Sequence, residues 1–150
     1  MHAFAATGAG FLMAVLWFDL MFDVQTRKHT GDTLPNDVLA SIRNYYRRVT
    51  TEATPMNRLI SVVMVATLSA IVAEIANGSV PPWLGWISLV AAAGAIGLAA
   101  VRTVRNAVRL GGEVDSVGVQ TQLARTIYRD HLYCFAAMAL VVVLQLTASY

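Results

Sequence analysis

The sequence is poor in charge, in cysteine and in histidine, and each shortage excludes something. Only 13% of its 150 residues are Asp, Glu, Lys or Arg, about half the usual share of a soluble domain. A chain so short of charge has too little polar surface to cover itself in water. The single cysteine, Cys134, excludes an internal disulfide and a CxxC redox pair. Cys134 therefore reads as a small packing residue. The three histidines are His2, His29 and His131, and none stands in an ExxH or HxxxH spacing. His2 falls at one end of the first apolar run and His29 in a loop, so no two can sandwich an iron and haem is disfavoured. The first apolar run is too long for a cleaved signal peptide, has no basic start and contains Asp19 and Asp23.

What the chain has in quantity is apolar residues, 57% of the total. They fall in four runs, at residues 3–24, 56–76, 83–101 and 131–149, each near the ~20 residues a helix needs to cross hydrocarbon. Lipid offers no hydrogen-bond partners, so a spanning segment is a helix or part of a closed barrel. A barrel needs alternating apolar and polar residues, and residues 59–76 have no such period. The expected fold is all-α: one domain, an antiparallel four-helix membrane bundle with cytoplasmic loops at 25–55 and 102–130.

The eleven Lys and Arg residues all lie in or beside those two loops. The short connection 77–82 and both ends of the chain carry none. The positive-inside rule puts the loops in the cytoplasm and both termini outside, the arrangement expected in a bacterial inner membrane. Trp83 and Trp86 fit the outer interface. Thr54-Pro55 is a start signal for the second span, Asn77-Gly78 an end signal, and Pro81-Pro82 opens the third. Membrane lipids are the expected surroundings, and the basic inner face suits anionic headgroups or an acidic partner. Nucleic acid is not an expected partner.

In the first loop, Val38, Leu39, Ile42, Tyr45, Tyr46 and Val49 recur at helical spacing with Arg43, Arg47 and Arg48 between them. The pattern predicts an amphipathic helix on the inner membrane surface; a lid over a site in the bundle is the functional alternative. In the second loop, Arg102, Arg105 and Arg109 extend the third helix until Gly111-Gly112 breaks it. A further helical stretch around residues 117–128 leads into the fourth span.

Asp19 and Asp23, four residues apart, share one face of the first helix near its cytoplasmic end. Ionised carboxylates at membrane depth face the bundle interior or pair with a cation. Antiparallel topology brings Asn57 and Arg58, then Arg102, Arg105 and Asn106, then Asp130, His131 and Tyr133 to the same depth. Three readings compete. Asp19 and Asp23 pair with Arg58, Arg102 or Arg105 as structural locks. Alternatively Asp19, Asp23, Asp130 and His131 ligate a divalent iron, manganese or zinc ion. Or His131 is a catalytic acid or base toward a lipophilic substrate, oriented by a carboxylate. Glu74, near the outer end of the second span, is expected at the interface. The third span is rich in small residues, among them Ala93 and Gly97, which suit either packing within the bundle or a seam to another subunit.

The layout resembles the anthrone-oxygenase-like group of small four-helix membrane proteins. The matching pieces are Tyr45-Tyr46-Arg47-Arg48 ahead of Pro55-Met56, then Asn106 with Leu110, then Leu123 through His131. Ile127 and Cys134 stand where that group has Trp and Arg. The resemblance implies oxygen insertion into a reduced polycyclic phenol, with His131 at the chemistry. The alternative function is a non-catalytic accessory subunit of a larger membrane complex or a homo-oligomer.

Overall fold

The computed structural model describes residues 2–148, and among these every regular element is helical. Helix α1 spans His2–Asp23, α2 Asn36–Arg47, α3 Thr54–Ala76, α4 Pro82–Leu98, α5 Val104–Gly111 and α6 Val117–Thr147. Ser149, the last residue of the expected fourth span, lies outside the described residues.

Four helical stretches are long and apolar enough to cross a membrane: His2–Lys28, Thr54–Ala76, Pro82–Gly111 and Val117–Thr147. The third and fourth are 30 and 31 residues long. At 1.5 Å per residue each runs to about 45 Å, well beyond a ~30 Å hydrocarbon layer. The excess carries the polar residues: Arg102, Arg105 and Arg109 on one, and much of residues 117–131 on the other.

Hydropathy alone cannot say which face of such helices turns inward. Here one buried cluster draws on all four: Ala5, Ala9 and Leu12 of α1, Ile71 of α3, Ala92 and Ala95 of α4, and Cys134, Met138 and Val141 of α6. Alanine recurs because small side chains let helices approach closely. Cys134 packs as expected, its Sγ 3.5 Å from the Ala95 carbonyl.

The helix ends follow the sequence signals with one exception. Pro82 occupies the first turn of α4, and Asn77 caps α3. Gly78 follows at φ +61°, in the left-handed region that glycine enters without steric cost. At the start of α3, Thr54 is already helical and Ala53 is the cap residue. Asn57 turns back instead, donating to the Val49 carbonyl at 2.7 Å.

The amphipathic helix forms as α2, but protein covers its apolar stripe. Leu39, Ile42 and Tyr46 are buried with Ala107 and Leu110 of α5 and Leu123, Ala124 and Ile127 of α6. This second core caps one end of the first. An interfacial position was expected because the stripe matches any apolar surface; α5 and the first turns of α6 supply that surface within the chain. Contact is close at Gly111, where a Cβ would stand 2.9 Å from the Arg47 backbone nitrogen, so only glycine lets α5 end there. Two π-helical turns, Arg48–Glu52 and Ala99–Thr103, were not expected. The first carries α2 toward α3, and the second joins α4 to α5.

Candidate functional site

Where α1 ends, α2 and α6 meet it, and the three bring together a buried acid–base network. Asp23 closes α1 and is 0% exposed. Its Oδ2 lies 2.7 Å from Nδ1 of His131. Its Oδ1 accepts a hydrogen bond from the Tyr46 hydroxyl at 2.7 Å. The Tyr46 oxygen is also 3.4 Å from His131 Nδ1. One helical turn earlier, the partly buried Asp19 accepts from the Tyr45 hydroxyl at 2.6 Å. Asp19 Oδ2 stands 3.8 Å from Nε2 of the same imidazole.

Each element contributes for a local reason. The i, i+4 spacing puts both aspartates on one face of α1. Tyr46 continues the buried stripe of α2 one turn after Ile42, and its hydroxyl reaches past the core to Asp23. Tyr45 sits at the edge of that stripe and stacks on Phe22, ring centroids 4.0 Å apart and planes 11° from parallel. A buried phenol needs a hydrogen-bond partner, and here both phenols find carboxylates. Burial raises both phenol pKa values, Tyr46 well above the ordinary range, and the neighbouring carboxylates add to the effect.

The hydrogen-bond pattern fixes the imidazole tautomer. Nδ1 carries a proton and donates to Asp23, which leaves Nε2 with a lone pair in the neutral ring. That lone pair faces Asp19 across 3.8 Å. Two acceptors so placed call for a proton or a donor group between them. An Asp–His pair with the outer nitrogen free is the arrangement that orients a general base or acid.

The remaining expected site residues are placed otherwise. Asp130 is buried but turned toward the π-helical turn Ala99–Thr103: Arg102 forms a bidentate pair with it, Nε to Oδ2 at 3.0 Å, and Thr103 donates to Oδ2 at 3.1 Å. The arginine–carboxylate lock therefore exists, on Asp130. Arg58 and Arg105 are exposed and form no ion pair among the described residues. Tyr133 is exposed on the outer surface of α6. Of the proposed metal set, Asp19, Asp23 and His131 come together and Asp130 does not. The Nδ1 and Oδ2 atoms a metal would need are spent on each other, and among the described residues no three His, Cys, Asp or Glu side chains are arranged to hold an ion.

Tyr45 and Tyr46 are the site residues that sequence reasoning missed as such. Their signal was present: two phenols on the apolar stripe of a helix otherwise lined by Val, Leu and Ile. Only the docking of α2 shows what the hydroxyls reach. No family model, no curated protein and no solved structure matches this chain.

Proposed function

We propose that the four long helices form an antiparallel membrane bundle with residues 25–55 and 102–130 in the cytoplasm, and that the Asp19–Asp23–His131 cluster is an acid–base site for a lipophilic molecule. One observation carries the reading: His131 is held by buried Asp23 at 2.7 Å through Nδ1, with Nε2 3.8 Å from Asp19. Distribution of charge supports the topology, since every Lys and Arg lies in or beside the two loops. The roles follow from the hydrogen bonds. Asp23 orients the ring and stabilises it when protonated, Tyr46 holds Asp23, and Nε2 takes or gives the proton. Asp19 receives the hydroxyl or acidic C–H side of the bound molecule. Helix α2 covers the site as a lid. The likeness in layout to the anthrone-oxygenase-like group supports the same role for His131.

The test is extraction of the detergent-purified protein and mass spectrometry of the small molecules it retains. Wild type should carry a lipophilic molecule in near-stoichiometric amount. His131→Ala and Asp19→Asn should lose it while keeping their helical content. The same small-molecule profile in all three proteins sinks the proposal.

A second reading, a subunit of a larger membrane assembly, draws on α4. Ala92 and Ala95 face the core, whereas Ala93, Gly94, Gly97 and Ala100 are exposed. A Cβ built at Gly97 would meet nothing within 4 Å, and these exposed small residues leave a face that another helix could approach closely.

A further inference from the structure

A row of arginines where α4 runs on into α5 takes no part in the acid–base site. Arg102, Arg105 and Arg109 are spaced i, i+3 and i+7, so they share one side of the helix. Beside them run Val101, Val104 and Val108, which are 68%, 52% and 53% exposed. The two rows border an open groove of about 540 Å³. Exposed valine next to exposed arginine suits neither plain water nor plain hydrocarbon.

The arginines differ in what holds them. Arg102 is bound to Asp130 and Arg109 to Asp115, through Nε and Nη2 in each case. Both side chains are still more than half exposed. A guanidinium has five N–H donors, so Nη1 of each is left for a ligand while the carboxylate holds the plane of the group. Arg105 is exposed and has no ion pair or side-chain hydrogen bond among the described residues. It supplies the uncompensated charge of the row. An anion in the groove therefore meets one unpaired cation flanked by two oriented ones, a donor set suited to phosphate.

Depth decides where that phosphate comes from. Trp83 and Trp86 are exposed at the far end of the same helical stretch, and indole rings favour a membrane interface. Arg102 and Arg105 follow Trp83 by 19 and 22 residues, about 28–33 Å at 1.5 Å per residue. That matches the ~30 Å thickness of the hydrocarbon layer. With the tryptophans at one interface, the guanidinium groups reach the phosphates of the opposite leaflet and the valines lie against acyl chains.

We propose that this groove is a headgroup site for one anionic phospholipid, its phosphate held by Arg105 together with Arg102 and Arg109, and its acyl chains lying along Val101, Val104 and Val108. At that depth the neighbouring molecule is lipid, which favours a phospholipid over an acidic peptide. The proposal rests on the membrane bundle proposed above and is independent of the acid–base site.

The experiment is native mass spectrometry of the full, delipidated protein in detergent, titrated with phosphatidylglycerol or phosphatidylcholine, with inorganic phosphate as competitor. Wild type should bind one phosphatidylglycerol at least ~10-fold more tightly than phosphatidylcholine, and excess inorganic phosphate should not displace it. Arg105→Gln should weaken phosphatidylglycerol binding roughly 5-fold, the effect of one arginine beside anionic lipid, and leave phosphatidylcholine unchanged. Arg58→Gln removes an equally exposed and unpaired arginine at the start of α3, and should change neither. His131→Ala should also leave the titration as it is. Equal affinity for the two lipids in wild type overturns the proposal. So does an equal loss in Arg105→Gln and Arg58→Gln, which is a general effect of charge. Displacement by inorganic phosphate overturns the lipid assignment in favour of a soluble anion. A protein that stays dispersed without detergent and binds neither lipid overturns the membrane bundle as well, a result distinct from equal binding of both.

Discussion

Tyr46→Phe isolates one hydrogen bond at the centre of the site. The substitution removes the hydroxyl and leaves the ring among Leu39, Ile42, Leu110 and Ile127 in the second core, so packing is almost unchanged. What is lost is an O–H···O bond of 2.7 Å to Asp23 Oδ1. Asp23 is 0% exposed, and water cannot replace the missing donor without opening the contact between α1 and α2. A hydrogen bond to a charged group contributes about 1.5–3 kcal/mol. Set against a total stability of ~5–15 kcal/mol, that is a large fraction for one oxygen atom. The assay is reversible unfolding in mixed detergent micelles, followed by helical circular dichroism, for wild type, Tyr46→Phe, Asp23→Asn and the double variant. The expected coupling between the two sites is about 1.5–3 kcal/mol. Additivity within ~0.5 kcal/mol would show that the hydroxyl and the carboxylate do not interact, and would refute the network as described. Tyr45→Phe provides the internal comparison. Tyr45 and Asp19 are only partly buried, so water can replace that bond and the loss should fall to about 0.5–1.5 kcal/mol.

Two further predictions concern packing and alkaline pH. Gly8→Ala should destabilise the helical core by about 1–3 kcal/mol, because the new Cβ would stand only 2.1 Å from Thr67 Oγ1. Gly10→Ala, which meets nothing within 4 Å, should be neutral, and equal melting temperatures for the two variants would contradict the α1–α3 contact. The phenols of Tyr45 and Tyr46 are held above their ordinary pKa by burial and by the aspartates beside them. A folded-state pKa above the unfolded value gives stability that is present below about pH 10 and lost as pH rises through the tyrosine range. Tyrosinate absorbance should therefore develop in two steps, Tyr45 and Tyr46 ionising only with unfolding, and in Tyr45→Phe/Tyr46→Phe the second step should vanish. A single smooth titration in the wild type would show that these phenols are not sequestered.

The sequence by itself determined the four apolar helices, the amphipathic segment and the breaks between them. These depend on quantities local in the chain. Hydropathy summed over about 20 residues marks a spanning length, and the spacing of Leu39, Ile42 and Tyr46 marks a buried face. Gly78 and Pro82 punctuate the backbone wherever the rest of the chain goes. The proximity of Asp19, Asp23 and His131 was legible too, since both aspartates share a helical face and His131 was expected at matching depth. Tertiary structure alone decided which partner each group meets. Turning a helix by one residue swings a side chain by about 100°, and that rotation is set by all the neighbouring contacts together. So Asp130 faces Arg102 and Thr103, while His131, the next residue, faces Asp23. The same reason placed Glu74 inside and left Arg58 and Arg105 at the surface. It also gave α2 a protein surface to lie on, which is how Tyr45 and Tyr46 reach carboxylates 26 and 23 residues earlier in the chain.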